Sequence, residues 1–194
     1  LLVLMLAGCN QTVVEDVDPV EDVAVNEMTQ YQDDVYGVWF EYPANWYETD
    51  FGTTVGGEMF HAMVSNFSTR DSGECTEGEA TFLVEISDHA TGHEGFVSFE
   101  EDFMSHYKET VEEAELGGYA GEYEEVTLAG LPAYKMEKMI MATPCESTGY
   151  VFDYTGKMPG MVGTVYMFSN EGDLEALAKL EEIVASLELS GPKK

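Results

Sequence analysis

From Val35 the chain reads VYGVWFEYPANWYETD, and Tyr36, Val38, Phe40 and Tyr42 alternate with Gly37, Trp39 and Glu41. A strict period of two places one set of side chains on each side of an extended backbone, so this stretch is a strand with one face buried. Pro43 ends it by removing a backbone donor, and Ala44-Asn45 turns the chain so that Trp46 folds back onto the core. Met59 to Phe67 and Ala80 to Asp88 repeat the strand signature, each rich in β-branched or aromatic residues. The period then changes. In SFEEDFMSHYKETVEEAELGG the residues Phe99, Phe103, Tyr107 and Val111 recur every four positions, which predicts an amphipathic helix. Ser98 and Glu101 stand at capping-box spacing before it, and Gly117 is placed to stop it.

Two hairpins follow in the pattern, one turning at Ala129-Gly130-Leu131-Pro132 and one between Gly156 and Gly160. A second amphipathic helix, with Leu177, Leu180, Val184 and Leu187 on one side, closes the ordered chain before Gly191-Pro192. About seven antiparallel strands and two helices make an α+β fold, a central antiparallel sheet covered by helices. The expected domain runs from residue 35 to 190, with 191–194 as a tail.

The residues before this domain are of another kind. Leu1 to Gly8 are uncharged, too few to span a bilayer, which takes roughly 20 apolar residues, and they stop at Cys9. They read as the remnant of an export signal, without its basic start. Leu6-Ala7-Gly8-Cys9 resembles the lipobox of bacterial lipoproteins, and that resemblance implies a diacylglycerol on Cys9, which becomes the mature N-terminus. Residues 9–34 are acidic, without aromatics until Tyr31, and read as a self-repelling disordered tether, with a short edge strand as the alternative. The expected location is outside the cytoplasm, on a cell or outer membrane, held by lipid.

Charge narrows the partners. Eight Lys and Arg stand against 38 Asp and Glu, a formal net charge of −30. Nucleic acid and anionic lipid headgroups are repelled by such a surface, which leaves cationic or neutral ligands, proteins, or ions. With Cys9 lipidated, Cys75 and Cys145 are an even pair in an exported chain, both in polar loop-like contexts, and are expected to form a disulfide. No C-x-x-C spacing supports a metal or redox role for them.

Short motifs carry a second resemblance. Tyr36-Gly37-Val38, Phe40, Tyr42-Pro43 and Trp46 resemble the opening strand and turn of PsbP-like domains. Thr127 to Tyr134 is similar to that family's Gly-centred hairpin, and Ile183 to Leu189 to its terminal helix. The resemblance covers roughly Tyr36 to Leu189 and implies an α/β/α sandwich around a central antiparallel sheet. The lipobox and the lack of a Lys-rich surface set the chain apart from the photosystem subunit that names the family.

The densest polar cluster is Asp88-His89-Ala90-Thr91-Gly92-His93-Glu94, whose Asp88, His89, His93 and Glu94 offer nitrogen and oxygen ligands of the type zinc accepts. Between a strand and a helix, and containing Gly, the segment reads first as a solvated loop. His61 and His106 read as packing residues. The paired acids Glu100-Glu101, Glu112-Glu113, Glu124-Glu125 and Glu181-Glu182 read as solvated faces, because adjacent side chains diverge. Met136, Met139, Met141, Met158, Met161 and Met167 read as core, with a binding groove as the alternative. No nucleophile-and-base arrangement, phosphate loop or metalloprotease helix occurs. The expectation is a lipid-anchored binding or accessory domain without catalytic activity or cofactor, with a partner protein or small ligand. The alternative is a metal- or small-ligand-binding lipoprotein using the His89/His93 loop.

Overall fold

The computed structural model describes residues 27–50, 59–68, 76–88, 98–115, 118–140 and 146–193. The first half of the chain supplies strands β1 (Met28–Asp33), β2 (Val38–Pro43), β3 (Tyr47–Asp50), β4 (Met59–Ser65) and β5 (Ala80–Asp88). Helix α1 (Phe99–His106) follows, then strands β6 (Tyr107–Lys108), β7 (Tyr119–Leu128), β8 (Leu131–Met139), β9 (Glu146–Asp153) and β10 (Met161–Ser169). Helix α2 (Leu174–Ser186) and strand β11 (Glu188–Leu189) close the fold. Eight strands form one sheet in the order β3-β4-β5-β10-β9-β8-β7-β6, and β1-β2-β11 form a second. Every pairing is antiparallel except that of β6 with β7, so the larger sheet is mixed.

The alternation in the sequence decides which face of the large sheet meets which layer. Phe60, Ala62 and Val64 of β4 lie beside Phe82, Val84 and Ile86 of β5, and this face packs in one cluster with Leu180 and Ile183 of α2 and Val38 and Phe40 of the small sheet. The opposite face carries Met136, Val151, Val162 and Tyr166 and is covered by Phe103 of α1. Covering on both sides explains β10, where all residues from Met161 to Phe168 are buried and the sequence shows no alternation. Gly163 in that strand leaves room for the Phe152 ring, since a Cβ there would lie 1.9 Å from it.

Local signals set the element ends. Ser98 caps α1 by accepting a hydrogen bond from the Glu101 amide at 3.2 Å, as the capping-box spacing predicts. Asp173 caps α2 through the Ala176 amide at 3.0 Å. The β7–β8 hairpin turns on Ala129-Gly130, with φ of 47° and 81°, the left-handed pair that matches the twist of the strands. Ala129 is the one non-glycine residue with positive φ among those described.

Several boundaries differ from the sequence reading. The tether expected over residues 9–34 gives way to strand by Met28: Thr29 to Asp33 pair with β2, and Tyr31 stacks on Phe40 at 5.0 Å. Burying that tyrosine and satisfying the backbone offsets the ordering of an acidic segment. The tail at 191–194 is also part of the fold as far as Lys193, because the Ser190 and Lys193 amides donate to the carbonyls of Gly37 and Asp34 at 2.9 and 3.1 Å. Helix α1 stops at His106, well short of Val111, which is exposed. Tyr107 keeps its ring on Phe103, 5.8 Å away, while its backbone becomes extended and joins the edge of β7. The α/β/α expectation is corrected in one layer, where a three-stranded sheet shares the covering with α2.

Candidate functional site

The residues singled out in the sequence do not form one site. Cys9, Cys75, Cys145, His89, His93 and Glu94 lie outside the described residues. Asp88 is described, half-buried at the end of β5 and in register with Met161. Among the described residues no three of His, Cys, Asp and Glu gather as a metal-binding group. Four of the six methionines, Met136, Met139, Met161 and Met167, are buried in the core, Met158 packs against it, and Met141 lies outside the described residues.

His61 and His106 both face the α1 side of the large sheet. His61 of β4 stands 3.2 Å from Glu85 of β5, and Thr164 of β10 is in register with Glu85 on the next strand. Tyr119 and Tyr166 flank this strip. Burial, before any other cause, pushes both phenols up, with the carboxylate of Glu85 adding to it and Thr164 opposing it. The His106 Nδ1 lies 2.9 Å from both the Ser105 hydroxyl and the Asp102 main-chain carbonyl, which only accepts, and its ring stands against Tyr119. A threonine 4% exposed and phenols held protonated make poor nucleophiles, and the strip is a polar network across β4, β5 and β10. Of the paired acids, Glu181 bridges Lys135 at 2.7 Å and the Tyr150 hydroxyl at 3.1 Å, and Glu182 pairs with Lys179 at 3.0 Å.

A concavity among the described residues lies elsewhere, on the side of the fold where β1, β3 and β5 begin. Three segments remote in sequence build it. The Pro43 to Trp46 turn supplies one wall, fixed by the Trp46 amide donating to the Pro43 carbonyl at 2.9 Å. Asn66 and Gly78 supply the second: the Asn66 side chain accepts from the Ala80 amide at 2.8 Å and donates to the Gly78 carbonyl, locking the chain that enters β5. The first turns of α2 supply the third. Asp173 ties the second and third walls together, accepting from the Gly78 amide at 2.8 Å and from Ala176 at 3.0 Å. Those hydrogen bonds, the Ala176 one foremost, hold its carboxyl below the usual carboxylate range.

The resulting groove encloses about 570 Å³. Met28, Pro43, Trp46 and Ala176 give it an apolar lining, while Glu77, Glu175, Glu182 and Lys179 stand around it, the last two paired at 3.0 Å. A second cavity of about 290 Å³ shares Asp173 and continues round the N-terminal turn of α2 past Leu174 to Ser147 of β9. The Ser147 hydroxyl is buried and has no hydrogen-bond partner among the described residues. This arrangement can hold a ligand that is apolar in part and cationic in part, but it offers no activated nucleophile. Sequence reasoning placed Trp46 at the core and missed the groove, whose only local signal was an exposed-looking acid at each of Glu77, Asp173 and Glu175.

No protein-family model matches the chain, and no curated protein matches it in sequence. Among solved structures it is similar to the solution structure of cyanobacterial PsbP (CyanoP) from Synechocystis sp. PCC 6803, with 14% sequence identity. That likeness covers 95% of this chain and 98% of the other, with a TM-score of 0.50. The order of strands and helices and this near-complete match agree with the motifs at Tyr36 to Trp46 and Thr127 to Tyr134: the chain has a PsbP-like fold.

Proposed function

We propose that the chain is a lipid-anchored accessory domain outside the cytoplasm, which works by holding a partner in the groove beside Trp46 and not by catalysis. The observation that carries this reading is the groove itself. Its volume falls in the range of ligand sites, of order 300–1,000 Å³, and its lining combines an indole with carboxylates but no base-activated hydroxyl or thiol. The Leu-Ala-Gly-Cys end of the apolar run supports the anchor, and the acidic surface supports attachment through lipid in place of a basic face.

The test uses the full-length gene product in its native membranes. Cys9→Ser is expected to move the protein from the membrane to the soluble fraction. A photo-crosslinking amino acid at Asn45, on the groove wall, is expected to give a discrete adduct that the same group at Glu124, on β7 at the far edge of the sheet, does not give. Identical adducts from both positions, or none from Asn45, would refute the groove as the working surface.

A further inference from the structure

We infer that the groove takes an arginine-bearing segment of a partner protein, with the guanidinium against the Trp46 indole and the rim carboxylates closing on it. This inference rests on the reading above and names the chemistry of its partner. Of the acids around the groove, Asp173 is committed to the Gly78 and Ala176 amides and Glu182 to Lys179. Glu77 and Glu175 are left to meet a ligand, in the same lining as Pro43, Trp46 and Ala176. A cation able to use both surfaces must lie flat on an aromatic ring and accept partial dehydration. A guanidinium does so; a compact, strongly hydrated ammonium or metal ion does not.

Charge removes the competing occupants. Residues 10–26 of this chain contain Glu15, Asp16, Asp18, Glu21 and Asp22 and no Lys or Arg, so the groove repels the chain's own N-terminal segment. A second copy, also at −30, is repelled more strongly, as is an anionic lipid headgroup. Extent argues for a segment over a single small cation. The second cavity continues the track round α2, with Leu174, 76% exposed, at its edge and the buried, unpartnered Ser147 hydroxyl in its lining. An extended backbone running through both brings polar groups to the serine and an apolar side chain to the leucine.

The experiment measures fluorescence anisotropy of a labelled Gly-Leu-Arg-Gly-Arg-Leu-Gly peptide with the full chain carrying Cys9→Ser, at 150 mM salt. The citrulline counterpart keeps shape and loses charge. Glu77→Gln with Glu175→Gln is expected to weaken binding of the arginine peptide at least tenfold. Glu124→Gln with Glu125→Gln, an equal charge change on β7, is expected to weaken it less than twofold. Citrulline substitution and Trp46→Leu are each expected to cost at least tenfold. Equal losses from the two glutamine pairs would mean the acidic surface acts as a whole and would overturn the inference. So would indifference to Trp46→Leu or to citrulline, or no binding at millimolar peptide. If the Asn45 adduct persists in those cases, the groove remains the working surface and only its cationic partner is wrong.

Discussion

Gly37→Ala tests whether the C-terminal residues are part of the fold. Gly37 is buried with φ of 67°, a conformation that costs a residue with a Cβ about 1 kcal/mol. An alanine Cβ would also stand 2.0 Å from the carbonyl oxygen of Gly191 and 2.6 Å from its nitrogen. Backbone cannot yield by that much in place, so the segment from Ser190 to Lys193 must lift off. Two main-chain hydrogen bonds go with it, from the Ser190 amide to Gly37 and from the Lys193 amide to Asp34. At about 1 kcal/mol net for each, the total reaches about 3 kcal/mol. For a domain of this size that is a fall in melting temperature of about 6–12 °C. Urea unfolding of the full chain with Cys9→Ser measures it. The same substitution in a chain ending at Leu189 should cost only the conformational term, about 1 kcal/mol. The difference between backgrounds, about 2 kcal/mol, is the coupling to the tail. Equal costs in the two backgrounds would refute the reasoning, because the clash with Gly191 would then contribute nothing.

The remaining predictions concern other parts of the fold. Tyr154→Phe removes the buried hydroxyl that donates to the Tyr36 carbonyl and should destabilise the domain by about 1–3 kcal/mol in the same urea assay, since that carbonyl loses its partner inside the protein. Ala129→Asn should stabilise by up to about 1 kcal/mol, because asparagine tolerates the left-handed conformation that alanine resists; no gain would mean the turn is not strained. The carboxyl of Asp173 is depressed in the folded chain, so its contribution is present above its unfolded value of about 3.9 and lost as pH falls through the lower folded value. Stability curves of wild type and Asp173→Asn should therefore converge on acidification below about pH 4, and parallel curves would remove Asp173 as a titrating contributor. Cys75 and Cys145 should be linked in a non-reduced digest. The ends of β5 and β9 that follow them, Ala80 and Glu146, flank Ser169 of β10 on either side and so lie about 10 Å apart. Two free thiols in freshly isolated protein would defeat that expectation.

Where a strand had one face in the core, its sequence announced it. Tyr36 to Tyr42 and Met59 to Ser65 alternate because one side meets the apolar cluster and the other does not. The hairpin at Ala129-Gly130 and the cap at Ser98 were equally local, each set by residues within a few positions. Failures came where a distant segment competed with a local preference. Tyr107 continues the helical stripe of Phe99 and Phe103, but the free edge of β7 offers its backbone hydrogen bonds, and the ring keeps its stacking in either conformation. Likewise nothing near Met28 signals a strand. The signal is β2, whose outer edge needs a partner and whose Phe40 accepts the Tyr31 ring.

The candidate site was less legible for the same reason carried further. A catalytic motif is readable when chemistry fixes several residue types at short spacing, as in the clustered acids and imidazoles from Asp88 to Glu94. The groove has no such constraint. Trp46, Gly78 and Asp173 are far apart in the chain and meet only because β3, β5 and α2 start on the same side of the fold. Of these, Asp173 is the informative residue after the fact. An aspartate before an amphipathic helix reads as an N-cap, which needs only one carboxylate oxygen for the Ala176 amide. The second oxygen takes the Gly78 amide and so joins two walls, turning a local capping device into the hinge-pin of the groove. A chain with 38 acidic residues hides the one that does this among the many that do not.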